Sequence, residues 1–240
     1  MKNILEWVLK DNQKRDVCLI LPGGGYERCS LREAMPVANK VNEASMHAVI
    51  FWYRNEKLLY PDILDEGIEM IHQIKSHPLV NRLYIIGFSA GAHYGLMLSI
   101  EKYDLIDKTV LAYPVVSSEL KFRHEGSFRN LLGSLDETLL SEVSLEKKVH
   151  SNMKPVFMMH TADDTSVPVE NSLVLSEALN DLDIPFELHI YPKGRHGLSL
   201  ATKDTSFDDM NPQIFETEYK DVAGWFDLAL AFMKRSIKHD

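Results

Sequence analysis

Between Arg82 and Glu101 the chain runs for 18 residues without Asp, Glu, Lys or Arg, and Gly87-Phe88-Ser89-Ala90-Gly91 stands inside that run. Few architectures accommodate such a stretch. Its length would suit a membrane span, but Gly87, Ser89, Gly91, His93 and Gly95 occupy its middle. The pattern instead predicts an apolar strand over 82–87, a sharp turn at Ser89 and an apolar helix over 90–101. A serine in a strand-to-helix turn of this kind is held in strained backbone with its hydroxyl presented outward. The flanking glycines let neighbouring backbone approach closely, and the helix N-terminus points N–H groups at developing negative charge.

The rest of the chain supports the same class. Short β-branched runs at 4–9, 17–21, 48–53, 82–87, 108–113, 155–160 and 185–191 alternate with segments of helical period at 31–44, 61–76, 90–101, 169–180 and 215–236. Runs such as Leu83-Tyr84-Ile85-Ile86 and Val156-Phe157-Met158-Met159 are apolar on both faces, as strands covered by helices on both sides require. In the second helical segment Ile63, Leu64, Ile68, Ile71 and Ile74 form one stripe, with Glu66, Glu69 and Gln73 off it. The alternation predicts an α/β fold, a mostly parallel doubly wound sheet flanked by helices. The length, 240 residues, suits one domain over 1–240. A polar excursion over 117–154, with a helix expected at 141–149, reads as a short cap or lid.

Lys and Arg number 26 against 35 Asp and Glu, a formal net charge of −9. That balance disfavours nucleic acid and anionic membrane as partners. Charges at Lys2, Glu6, Lys10 and Asp11 interrupt any signal-peptide core. Cys18 lies in an apolar run, and neither it nor Cys29 has metal-ligand spacing. A reducing, cytoplasmic setting is the expectation.

Glycine is sparse, 12 residues in all, and seven of them fall in three short segments. One frames Ser89. Another, Pro22-Gly23-Gly24-Gly25-Tyr26, follows the strand 17–21 and can present backbone N–H groups to an oxyanion. No Lys-Ser/Thr pair follows it, so it is not a phosphate-binding loop. The third, Gly194-Arg195-His196-Gly197, sits beyond the last predicted strand and offers His196 as a mobile base. His47, His72, His77, His189 and His239 read as surface or packing residues. His93, one helical turn after Ser89, either packs the helix or positions the glycine loop. An orienting acid is expected after strand 155–160, where Asp163 and Asp164 both qualify. Two carboxylates on one imidazole would repel each other, so one of them has another role. A metal set of His160, Asp163, Asp164 and His196 lacks a recognised ligand spacing.

The order of serine, acid and histidine after a glycine-rich loop resembles the α/β-hydrolase fold. More narrowly, the chain is similar to small carboxylesterases akin to acetyl xylan esterases and to hormone-sensitive-lipase-like esterases. The likeness covers nearly the whole chain, including Tyr53-Arg54, Tyr113-Pro114, the 160–168 segment, His196-Gly197 and Trp225. It implies Ser89 as nucleophile, His196 as base and, through the anchors His160, Val167 and Pro168, Asp164 as acid. Backbone N–H groups of Gly24, Gly25 and Ala90 would hold the oxyanion. Pro22 stands where relatives carry histidine, Thr161 where they carry glycine, and Ala92 where they often carry glycine. The implied reaction is hydrolysis of a small-molecule ester, acetyl above all, on a sugar or small alcohol, through an acyl-enzyme and without metal or organic cofactor. The rivals are a prolyl-oligopeptidase-like peptidase and a non-catalytic binding module on the same scaffold. A homo-oligomer is left open.

Overall fold

A computed structural model describes residues 2–236; His239 lies outside the described residues. Seven strands form one sheet: β1 (Ile4–Val8), β2 (Arg15–Leu21), β3 (His47–Trp52), β4 (Val80–Phe88), β5 (Lys108–Ala112), β6 (Val156–Thr161) and β7 (Phe186–Tyr191). Their order is β1-β3-β2-β4-β5-β6-β7. Only β1 pairs antiparallel, against β3, and every other pairing is parallel. Each predicted strand is present, and the sheet is doubly wound as expected.

The period of two along each strand sorts side chains onto two cores. Val17, Leu19 and Leu21 of β2 face one core, and Cys18 and Ile20 face the other. Helices α2 (Asp62–Ser76), α3 (Ala90–Glu101) and α6 (Glu170–Asp181) cover the first face with Ile63, Ile71, Tyr94, Leu96, Leu175 and Leu179. Helix α1 (Met35–Glu43) and the C-terminal helices cover the second, with Val37, Val41, Trp225 and Phe232. All residues of α3 from Ala90 to Ile100 are buried, which explains why its sequence is apolar all round. Cys18 and Cys29 are both free thiols. Among the described residues no helix is long and apolar enough to cross a membrane.

Three helical expectations are corrected. The helix expected at 31–44 opens as a 3-10 turn over Leu31–Glu33 before α1. The excursion 117–154 forms α4 (Glu125–Leu132) and α5 (Glu137–Glu142), with only a 3-10 turn over Leu145–Lys147, in place of a helix at 141–149. Asp136 starts α5 early by accepting from the Thr138 and Leu139 amides. The single helix expected at 215–236 is three: α7 (Pro212–Glu218), α8 (Lys220–Ala223) and α9 (Trp225–Lys234). Tyr219, with φ −103° and ψ 17°, and Gly224 interrupt it. The breaks allow Phe215 and Trp225 both to face the core.

Lys108 in β5 turns its ammonium to the end of α9 and donates to the Phe232 and Met233 carbonyls at 2.5 and 3.2 Å, and to that of Arg235. These are carbonyls that a helix C-terminus leaves without partners. Burial lowers the pKa of this lysine. Replacing Lys108 by Met should reduce stability by about 2 kcal/mol, read as a lower urea midpoint with an unchanged m-value.

Candidate active site

The turn between β4 and α3 places Ser89 at φ 54° and ψ −118°, a backbone region that costs a non-glycine residue about 1–3 kcal/mol. A Cβ on Gly91 would collide with the Leu21 carbonyl, so the start of α3 packs against β2 only because this residue is glycine. Ser89 precedes α3 but its side chain makes no capping bond. The hydroxyl lies instead 2.8 Å from His196 Nε2. His196 Nδ1 lies 2.5 Å from Asp164 Oδ2. A carboxylate at Nδ1 keeps the proton on that nitrogen and leaves Nε2 as acceptor for the serine hydroxyl.

Asp164 is anchored in turn. Its Oδ1 accepts from the Ser166 and Val167 amides at 2.9 and 3.0 Å. Burial pushes its pKa up, but the nearby His160 and His196 imidazoles and the Val167 amide outweigh that and hold it well below the usual carboxylate range. His160 is engaged on both ring nitrogens, with the Ser172 hydroxyl at 2.8 Å and the Val167 carbonyl at 2.9 Å. Asp163, the other acid candidate, takes its partners from Gly194 and Lys193. It accepts from the Gly194 amide at 2.8 Å, while Thr161 Oγ1 donates to the Gly194 carbonyl at 2.7 Å. The loop carrying His196 is therefore clamped at both ends of one glycine, and Thr161 supplies half of the clamp. Arg32 adds a further hold by donating to the Gly197 carbonyl at 3.0 Å.

The glycine loop after β2 is pinned through its carbonyls. Pro22 O accepts from the Tyr53 hydroxyl at 2.6 Å, and Gly23 O from the Ser30 amide at 2.9 Å. Gly24 O accepts from Glu27 and Arg28, and Gly25 O from Asn130 Nδ2 at 2.9 Å. The Gly23 amide donates to Glu33 Oε2 at 2.7 Å. By contrast, the amides of Gly24, Gly25 and Ala90 meet no acceptor among the described residues. Gly24 and Gly25 take φ of 130° and 65°, which glycine alone adopts at little cost.

Beside Ser89 opens a cavity of about 840 Å³, bordered by Gly24, Gly25, Arg28, His124, His196 and Asp209 among others. Its volume falls in the ~300–1,000 Å³ range of small-molecule sites. His124 comes from the 117–154 segment, as does Asn130. That segment is fastened to the scaffold again by His93, whose Nε2 lies 2.9 Å from the Val143 carbonyl and whose Nδ1 lies 2.8 Å from the Tyr26 hydroxyl. His93 thus joins α3, the glycine loop and the excursion. Sequence reasoning missed Glu33 and Asn130 as parts of this site, and named Tyr113 only within the likeness, without a role. For Glu33 and Asn130 the only sequence signal was polarity at positions within or beside otherwise ordinary elements.

The sequence profile of the prolyl oligopeptidase family matches residues 52–228. Endo-1,4-beta-xylanase B of Butyrivibrio fibrisolvens is 32% identical over 226 residues, covering 84% of this chain and 35% of the xylanase. An acetylxylan esterase of Xylanibacter ruminicola is 27% identical over 207 residues, covering 81% of this chain and 43% of the esterase. The chain therefore spans less than half the length of these two relatives. Among solved structures, an acetyl ester-xyloside bifunctional hydrolase from Caldicellulosiruptor lactoaceticus superposes with a TM-score of 0.74 at 33% identity, covering 91% of this chain and 87% of that one. A carboxylesterase from Lactobacillus plantarum superposes with a TM-score of 0.77 at 25% identity, covering 97% and 91%.

His93 is fully buried, and burial lowers its pKa to about 4. Unfolding raises it to the ordinary imidazole value of about 6.5, so the unfolded chain binds the extra proton between these values. The stability held by neutral His93 is full above pH ~6.5 and is lost as pH falls toward ~4, with a slope of up to about 1.4 kcal/mol per pH unit. Urea titrations from pH 7 to pH 4.5 should show a shallower loss for His93→Gln than for the wild type.

Proposed function

The chain belongs to the prolyl oligopeptidase family, and from that membership and the geometry around Ser89 we propose a serine esterase that removes short acyl groups, acetyl first, from a sugar or small alcohol. The observation that carries the reading is the continuous chain of contacts from Ser89 Oγ to His196 at 2.8 Å and from His196 to Asp164 at 2.5 Å, beside three unclaimed amides.

In this reading Ser89 attacks the ester carbonyl while His196 Nε2 takes its proton. Asp164 holds the ring orientation and stabilises the imidazolium. The tetrahedral oxyanion is received by the amides of Gly24, Gly25 and Ala90, the last at the N-terminus of α3. His196 then protonates the departing alcohol. Water, deprotonated by the same nitrogen, attacks the acyl-enzyme, and serine leaves with the returned proton. All of these groups belong to one copy of the chain.

The alcohol side of the substrate is argued from the cavity. Arg28, Ser30, Arg32, Asp208 and Asp209 border it, and such groups suit a polyhydroxylated leaving group better than an apolar one. The names of the acetylxylan esterase and the acetyl ester-xyloside hydrolase point the same way. We read the chain as one hydrolase domain in which 117–154 forms a short fixed cap, and we place the reaction in a reducing, cytoplasmic compartment where both thiols stay free.

An organophosphonate should label the wild type stoichiometrically at Ser89, with no labelling of Ser89→Ala by intact mass. A panel of acetylated xylosides, aryl esters of increasing acyl length and dipeptide amides should show acetyl esters turned over fastest. Preferred cleavage of an amide would establish a peptidase instead, and an inert Ser89 with measurable ligand binding would establish a binding module.

A further inference from the structure

Glu33 is a buried carboxylate, 3% exposed, at the end of the 3-10 turn that follows the glycine loop. No cation pairs with it among the described residues. Two neutral donors converge on it instead: the Gly23 amide on Oε2 and the Tyr113 hydroxyl on Oε1, each at 2.7 Å. Burial pushes its pKa up, and these two hydrogen bonds pull the other way. A buried polar side chain is costly unless its hydrogen bonds are made, so a carboxyl in this place calls for a reason.

The partners supply one. Gly23 stands directly behind the serine; a Cβ there would meet Glu33 Oε2 at 2.9 Å and Ser89 Cβ at 3.0 Å. The Pro22–Gly23 peptide is gripped at its carbonyl by Tyr53 and at its N–H by Glu33. The next peptide is gripped at its carbonyl by Ser30. Because a trans peptide points its N–H opposite to its C=O, these grips direct the Gly24 amide away from Ser30. The second oxygen of Glu33 reaches Tyr113, which follows β5, accepts from the Ser199 amide at 2.9 Å and stands edge-on to His196 with ring centres 5.1 Å apart. Ser199 lies three residues beyond His196.

We propose that Glu33 is a positioning residue that bridges the glycine loop to Tyr113, so that the amides aimed at the oxyanion and the segment carrying His196 keep one fixed relation. The inference rests on the esterase reading above. Glu33 touches no substrate in this scheme. Its contribution is the reach of its two oxygens and not its charge.

Two conservative variants separate reach from charge. Glu33→Asp keeps the carboxylate but withdraws it by one methylene from Gly23. Glu33→Gln removes the charge but keeps an acceptor for the Gly23 amide and presents an N–H₂ to the Tyr113 oxygen. With aryl acetate as substrate, Glu33→Asp should lose about 10²-fold in kcat, the scale of one mis-set oxyanion donor, with KM changed by less than about threefold. Glu33→Gln should stay within about threefold of the wild type in kcat. Equal activity of Glu33→Asp and wild type would overturn the proposal, as would a Glu33→Gln that falls as far as Glu33→Asp. Phosphonate labelling run alongside separates the two layers. A wild type that labels, with Glu33→Asp labelling equally fast, overturns the role of Glu33 alone. A wild type that does not label overturns it together with the esterase reading.

Discussion

The close approach of α3 to β2 is the contact on which the rest of the site depends. Ser89 occupies positive φ because β4 must turn into a buried helix within one residue, and Gly91 allows that helix to rest against the Leu21 carbonyl. The strain stored at Ser89 is offset by burial of the whole helix between the sheet and α2, where the Tyr94 hydroxyl donates to the Ile63 carbonyl at 2.6 Å. Leu21 is also the residue from which the glycine loop departs. A single packing contact therefore sets the serine and the loop beside it.

Around that contact the polypeptide is held by its carbonyls. In the glycine loop the oxygens of residues 22–25 are all taken by donors, and the free groups are the Gly24 and Gly25 amides. The histidine loop follows a similar logic, with Gly194 gripped by Thr161 and Asp163 and Gly197 by Arg32. Polar side chains that look incidental in sequence serve here to orient backbone dipoles before any ligand arrives, which is the condition for electrostatic stabilisation without reorganisation. The segment 117–154 takes part in the same scheme through Asn130 and the Val143 carbonyl, so it is tied to the glycine loop and to α3.

Much of the fold was legible because it is written in local periodicity. All seven strands fall within a residue or two of their predicted places, since apolar β-branched runs bounded by turn residues have few alternatives. The helices fared less evenly. Those with a long apolar stripe, such as α2 and α3, were predictable end to end. The segment 141–149 was not, because Val143 gives its carbonyl to His93 and Asp136 caps a helix that starts earlier. The break at Gly224 follows from the need to seat Trp225, whose Nε1 donates to the Ser199 carbonyl at 2.8 Å, a partner 26 residues away.

By itself the sequence determined the sheet, the turn at Ser89, the glycine loop, and His196 with an adjacent pair of acids, because each of these is a short-range pattern of residue types. Only the tertiary structure set Asp164 rather than Asp163 against His196, turned His93 toward Tyr26, and gathered Glu33, Tyr113 and Asn130 around the loop. Those assignments depend on hydrogen bonds between residues 50 to 105 apart in most cases. Directional bonds of this range are set by how the elements pack, and no local pattern of side chains encodes them.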